Sequence, residues 1–288
     1  MYRYGMTQWI VGNEDFESSF RRLQKCGYDT IEFAGEPDKL KPAECLALMK
    51  AYHLSADSIC GIFSGPGRDL TSWGEDAQTA VGYLKKCVDF ASAIGSTVII
   101  VVPSPVGRTR MPDTCTYGQL WENAVRNIRE AAQYAGTKNI RFAVEAINRY
   151  ETFFVNTLEK AYRLVQEIDH KQVGIMADTF HMNLEENNME QSLRMIADKL
   201  IHVHIADNTR EPAGMGTIDF HALLQTLRDI RYQGILCMEF LPRVADPYQL
   251  FMNNAQSQLM DRYADSALSY MKSAEAEVLR GILRPALK

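Results

Sequence analysis

The chain has 288 residues, with 31 Lys and Arg against 36 Asp and Glu. No block of like charge is long enough to form a basic stripe, which argues against nucleic acid as a partner. Six cysteines stand far apart with no CxxC pair, so they read as buried thiols of a reduced compartment and not as a disulfide scaffold. No apolar run approaches the ~20 residues of a membrane span, and MYRYGMTQWIVG lacks the basic start and apolar core of a signal peptide, so a cytoplasmic protein without a membrane partner is expected.

In chain order, short apolar runs alternate with longer helical patterns. The first strand, 3–6, is followed by Trp9, and Tyr4, Met6 and Trp9 are candidates for the wall of a pocket. A helical pattern from Glu14 to Cys26 stops at Gly27, and the second strand, 29–33, carries an inward Glu32. Glu32 reads equally well as a substrate contact and as half of a buried ion pair. Patterns from Lys39 to His53, Ala77 to Ile94 and Gly118 to Tyr134 separate strands at 55–62 and 97–102, with Gly95 and Gly136 as further helix stops. Four more strands are expected at 140–145, 173–178, 200–206 and 234–240. The region from about Ala255 to Leu283 then reads as one or two helices that cap the barrel or build an oligomer contact, with Pro285 ending the pattern. Eight strands alternating with helices, in a chain near the ~250 residues typical of the fold, predict an α/β protein: a single (β/α)8 TIM barrel over 1–288 with an extra C-terminal helix.

The informative residues are polar ones that interrupt the apolar strands at their C-terminal ends. Successive side chains on a strand point to opposite faces. In 140–145, Ile140, Phe142 and Val144 share one face, which puts Glu145 on the other, the inward face of a barrel. The same alternation turns Asp178 inward against Val173, Ile175 and Ala177, His204 inward against Ile201, Val203 and Ile205, and Glu239 inward against Leu236 and Met238. The gaps of 33, 26 and 35 residues between these four each match one βα unit, and active sites of such barrels form at the C-terminal ends of the strands. Three carboxylates and an imidazole crowded there would repel strongly unless a cation lay among them. Hard oxygens, one nitrogen and no thiolate favour Mn²⁺, Mg²⁺ or Co²⁺ over a structural zinc. His202 shares the inward face but lies deeper and reads as a hydrogen-bonded barrel histidine.

The stretches VEAINRYE (144–151), ADTFHMN (177–183), HVHIADNTR (202–210), GMGTIDF (214–220) and CMEF (237–240) together resemble the D-tagatose 3-epimerase and D-psicose 3-epimerase family of xylose-isomerase-like barrels. The resemblance implies that Glu145, Asp178, His204 and Glu239 bind the metal and that Glu145 and Glu239 are the acid/base pair. It also implies that Glu151, His181 and Arg210 hold the oxygens of a carbohydrate substrate. The implied activity is a metal-dependent sugar epimerase or isomerase abstracting a proton α to the carbonyl of a keto-sugar. After Glu239 the chain reads FLPRVADPYQLF, where a more glycine-rich segment is expected of the ketose epimerases. This keeps a lyase open as the alternative: an inosose dehydratase, or the catalytic subunit of a C-glycoside deglycosidase acting on a 3-oxo-glucoside. A homo-oligomer is the expected assembly, with a hetero-oligomer if the deglycosidase reading holds. A DNA-repair endonuclease on the same barrel would need a histidine-rich zinc cluster and a basic surface, and this chain has six histidines and a net charge of −5.

Overall fold

Eight parallel strands close on themselves in sequence order, the first pairing with the last. They are β1 Arg3–Thr7, β2 Thr30–Gly35, β3 Ser55–Gly61, β4 Val98–Val101, β5 Arg141–Glu145, β6 Val173–Asp178, β7 Leu200–Ile205 and β8 Ile235–Met238. The structure, a computed structural model, describes residues 1–243 and 257–281. Most of the segment after Glu239 that departs from the epimerase pattern, and Pro285, lie outside the described residues.

The outer faces of the strands carry the apolar alternation. Ile99, Val101, Phe142, Val144, Ile175 and Val203 pack into one core with the surrounding helices, while Cys60, Val98, Ile100, Ala143 and Met176 form a smaller cluster inside the barrel. Tyr4 and Met6 belong to the outer core, whereas Trp9, the third candidate near β1, lines a cavity at the C-terminal end of the barrel. The helices around the sheet are α1 Phe16–Cys26, α2 Pro42–Tyr52, α3 Gly74–Ile94, α4 Tyr117–Thr137, α5 Leu158–Ile168, α6 Thr179–Glu185, α7 Met189–Met195, α8 Phe220–Asp229 and α9 Ser257–Leu279. The expected C-terminal helix is therefore present as α9. It packs on α8 and on α1, closing the ring of helices. Its buried Glu275 ties it to β1, accepting from Tyr2 N at 2.7 Å and from the Tyr4 hydroxyl at 3.0 Å.

Two local expectations fail. Gly27 and Gly95 do cap α1 and α3 in the left-handed region, at φ 86° and 81°. Gly136, however, lies inside α4, and the left-handed turn after that helix is made by Asn139 at φ 56°. Ile201 was expected on the outer face of β7. The register between β6 and β7 shifts between Ile175 and Met176, and this irregularity lets Ile201 pack against the inner cluster. Gly174 makes room for it: a Cβ there would meet the Lys199 carbonyl at 2.7 Å and Ile201 Cγ2 at 2.9 Å. Gly174→Ala should therefore lower stability by about 1–3 kcal/mol through overpacking. Urea unfolding checks this, and an unchanged midpoint would contradict it.

Candidate active site and metal centre

The C-terminal ends of β5 to β8 place four buried groups around one point. Glu145 ends β5, Asp178 ends β6, His204 is the penultimate residue of β7, and Glu239 follows β8 directly, its N–H still donating to Ile205 O at 3.0 Å. Each is at most 5% exposed, and one ligand atom from each lies within 4.8 Å of the others. The four residues expected to converge do converge.

Asp178 serves two ends of the chain's geometry. As N-cap of α6 its Oδ1 accepts from Phe180 N at 2.7 Å and His181 N at 3.3 Å, satisfying donors that a helix N-terminus leaves open. Its Oδ2 is buried without a hydrogen-bond partner, and so is His204 Nδ1. The two face each other at 3.8 Å, and His204 Nδ1 lies 3.3 Å from Glu239 Oε1. Unsatisfied buried polar atoms are rare, and two of them aimed at a knot of carboxylates fit a divalent cation.

The electrostatics say the same. Burial first, and the Glu239 carboxylate second, push Glu145 well above the ordinary carboxylate range. Asp178 is also raised, chiefly by burial. Glu239 goes the other way: burial would raise it, but His204 and Arg210 hold it down. For His204, burial favours the neutral ring, yet the Glu239 and Glu32 carboxylates outweigh it and carry its pKa well upward. Negative charge is thus concentrated at a buried point, where a cation relieves it.

Glu151, His181 and Arg210 stand around this centre. Arg210 Nη1 donates to Glu151 Oε1 at 3.1 Å, its Nη2 lies 3.6 Å from Glu239 Oε2, and its guanidinium sits over the Phe180 ring at 4.8 Å. Its backbone takes φ 62° in the loop after β7. That loop is shaped by Asp207, whose carboxylate accepts from the N–H groups of Asn208, Gly214, Gly216 and Ile218. His181 reaches the site because α6 begins directly after β6, and its Nε2 lies 3.7 Å from Glu145 Oε1.

Reading the sequence missed two groups and left a third uncommitted. Asn148 Oδ1 accepts from Tyr150 N at 3.0 Å, so its amide NH₂ faces His181 Nδ1 at 2.8 Å. That makes Nδ1 the acceptor and leaves Nε2 as the N–H directed at the pocket. Asn148 and Asp207 lie in loops, where strand alternation gives no signal. Trp9, in the 3-10 turn after β1, donates from Nε1 to Glu239 Oε1 at 2.8 Å. Glu32, by contrast, is one half of the buried ion-pair alternative and does not line the pocket.

Above the four groups opens a cavity of about 430 Å³, within the range of small-molecule sites. Trp9, Glu145, Glu151, His181, Arg210 and Glu239 line its polar side, and Ile62, Phe63, Val102, Val106 and Ile147 the other. Among the described residues no helix is long and apolar enough to cross a membrane.

The xylose isomerase-like TIM barrel family profile matches residues 20–271. A 3-dehydro-D-guloside 4-epimerase of Escherichia coli is 32% identical over 249 residues, covering 84% of this chain and 93% of the relative. A D-psicose 3-epimerase of Ruminiclostridium cellulolyticum is 31% identical over 284 residues, covering 94% and 95%. Among solved structures, that of a 3-keto-D-glucoside 4-epimerase from E. coli superposes with a TM-score of 0.79 at 28% identity, over 95% of this chain and 100% of the other.

Proposed function

Because the chain belongs to the xylose isomerase-like TIM barrel family, we propose that it is a divalent-metal-dependent sugar epimerase that removes and returns a proton on the carbon next to a carbonyl. The observation that carries the proposal is the pair of unsatisfied atoms, Asp178 Oδ2 and His204 Nδ1, gathered within 4.8 Å of ligand atoms of Glu145 and Glu239, the two members of the set that line a sugar-sized cavity. A cation held by Glu145, Asp178, His204 and Glu239 supplies positive charge against which negative charge can build on neighbouring substrate oxygens. The hard donor set suits Mn²⁺, Mg²⁺ or Co²⁺, and Mn²⁺ is the ion proposed for the tests below.

Glu145 and Glu239 come from strands three apart in the ring and approach the cavity from different sides. One takes a proton from a carbon while the other returns one to the opposite face, which inverts that carbon. Trp9 Nε1 fixes the Glu239 carboxylate, and the His181 Nε2–H is presented toward Glu145 and the cavity. Arg210 and Glu151, paired with each other, supply a fork of donors and an acceptor for substrate hydroxyls. Ile62, Phe63, Val102, Val106 and Ile147 give the cavity an apolar wall opposite these polar groups.

The lead substrate class is a free ketose inverted at C3, by analogy with the D-psicose 3-epimerase of R. cellulolyticum. A 3-keto-glycoside inverted at C4 is the second reading, favoured by the E. coli relative. Mn²⁺-loaded protein incubated with ketohexoses, inososes and 3-keto-glycosides, followed by NMR, separates them. A new epimer of one class supports the proposal and names the class. Release of an aglycone or of water without epimerisation would replace it with the lyase alternative.

A further inference from the structure

Beneath the proposed metal centre lies a group of buried polar residues that the proton chemistry does not use. Glu32 on β2 is 1% exposed and spans the barrel interior to β7. Its Oε1 lies 2.9 Å from His204 Nε2, and its Oε2 accepts from Ser58 Oγ at 2.6 Å and lies 3.0 Å from His202 Nε2. A carboxylate fully enclosed in a barrel must satisfy its lone pairs from such donors. These do so on both oxygens.

We infer that Glu32 is the positioning residue of the metal centre: it accepts a hydrogen bond from the Nε2–H of His204, fixes the ring, and so presents the Nδ1 lone pair to the point where Asp178, Glu239 and Glu145 meet. The inference rests on the reading of that point as a metal site. An imidazole that donates through one nitrogen offers its lone pair only at the other, and here the other nitrogen is the one 3.3 Å from Glu239 Oε1 and 3.8 Å from Asp178 Oδ2. A carboxylate behind the ring also makes it a stronger ligand, and removing such a partner typically weakens metal binding 10- to 100-fold.

A competing arrangement uses the same atoms. Glu32, His202, His204 and Cys237 also bring ligand atoms within 4.8 Å of one another and could hold a second ion. Two observations favour the positioning role. His204 Nε2 cannot donate to Glu32 and bind an ion at once, and Glu145 and Glu239 of the upper set line the cavity whereas none of Glu32, His202 and Cys237 does, so an ion entering from it meets the upper set first.

The test is calorimetric titration of Mn²⁺ into EDTA-treated full-length protein, with the absorption spectrum of the Co²⁺ form as a second readout. The parent should bind one ion per chain. Glu32→Gln, which keeps the shape and removes the charge, should bind it about 10- to 100-fold more weakly. Its Co²⁺ spectrum should change as well. Ser58→Ala, which leaves the Glu32–His204 contact in place, should bind far closer to the parent. If Glu32→Gln does not fold, Glu32→Asp keeps the charge but draws it away from His204 and should weaken binding in the same direction. Parent-like affinity with an unchanged spectrum in the folded Glu32 variant overturns the positioning role and leaves the metal site standing. A parent that binds no Mn²⁺ overturns both. Two ions per chain, with one lost in Glu32→Gln, overturns the inference in favour of the second site.

Discussion

Glu145→Gln and Glu239→Gln should each lower kcat on the sugar substrate by about 10²–10⁴-fold, the range that a positioned acid or base contributes. Glutamine keeps the volume of the side chain and can still offer one oxygen toward the cation, but it cannot take up or return the proton. The two variants should fail for the same reason from different sides. Glu145 has His181 Nε2 beside it at 3.7 Å, whereas Glu239 is held by Trp9 Nε1 and faces Arg210. Since both are also proposed ligands, metal content has to be measured beside kcat, at saturating Mn²⁺. Near-normal turnover in either metal-loaded variant would contradict the two-carboxylate assignment.

Stripping the metal should remove activity altogether and lower thermal stability, and adding Mn²⁺ should restore both. Three carboxylates and one imidazole, each at most 5% exposed, converge within 4.8 Å. Without a cation they relax only by taking up protons or moving apart. A ligand at a hundredfold excess over its Kd stabilises the folded state by about 2.7 kcal/mol, a shift of a few degrees for a chain of this size. Activity that survives exhaustive chelation, or a melting temperature indifferent to Mn²⁺, would count against the metal centre. Comparing Mn²⁺, Mg²⁺ and Co²⁺ for restoration identifies the ion.

How far the sequence carried this reading follows from where each signal lives. The eight strands and the four convergent groups were legible because a barrel strand is apolar outward and its inward face turns polar at the C-terminal end. Glu145, Asp178, His204 and Glu239 each break a short apolar run at that point. Ile201 was misplaced because alternation assumes an unbroken ladder, and the register shift beside it arises from pairing with β6, where Gly174 leaves space. Gly136 looked like a helix stop because glycine often is one, yet α4 runs through it and Asn139 makes the turn. Asn148, Asp207 and the role of Glu32 depend on partners 33 residues, 11 residues and 172 residues away. No local pattern encodes those contacts. The choice between a substrate contact and a buried ion pair for Glu32 was settled only by which strands face each other across the barrel.

The central claim is that this chain moves a proton on a carbon next to a sugar carbonyl using two carboxylates from opposite sides, and its most direct test is isotopic. In D₂O with Mn²⁺, the first epimer formed should carry one solvent deuterium at the inverted carbon, while unreacted substrate stays largely protiated. The same epimer formed without deuterium at that carbon would contradict the account, and so would the absence of metal-dependent exchange on every keto-sugar and 3-keto-glycoside tried.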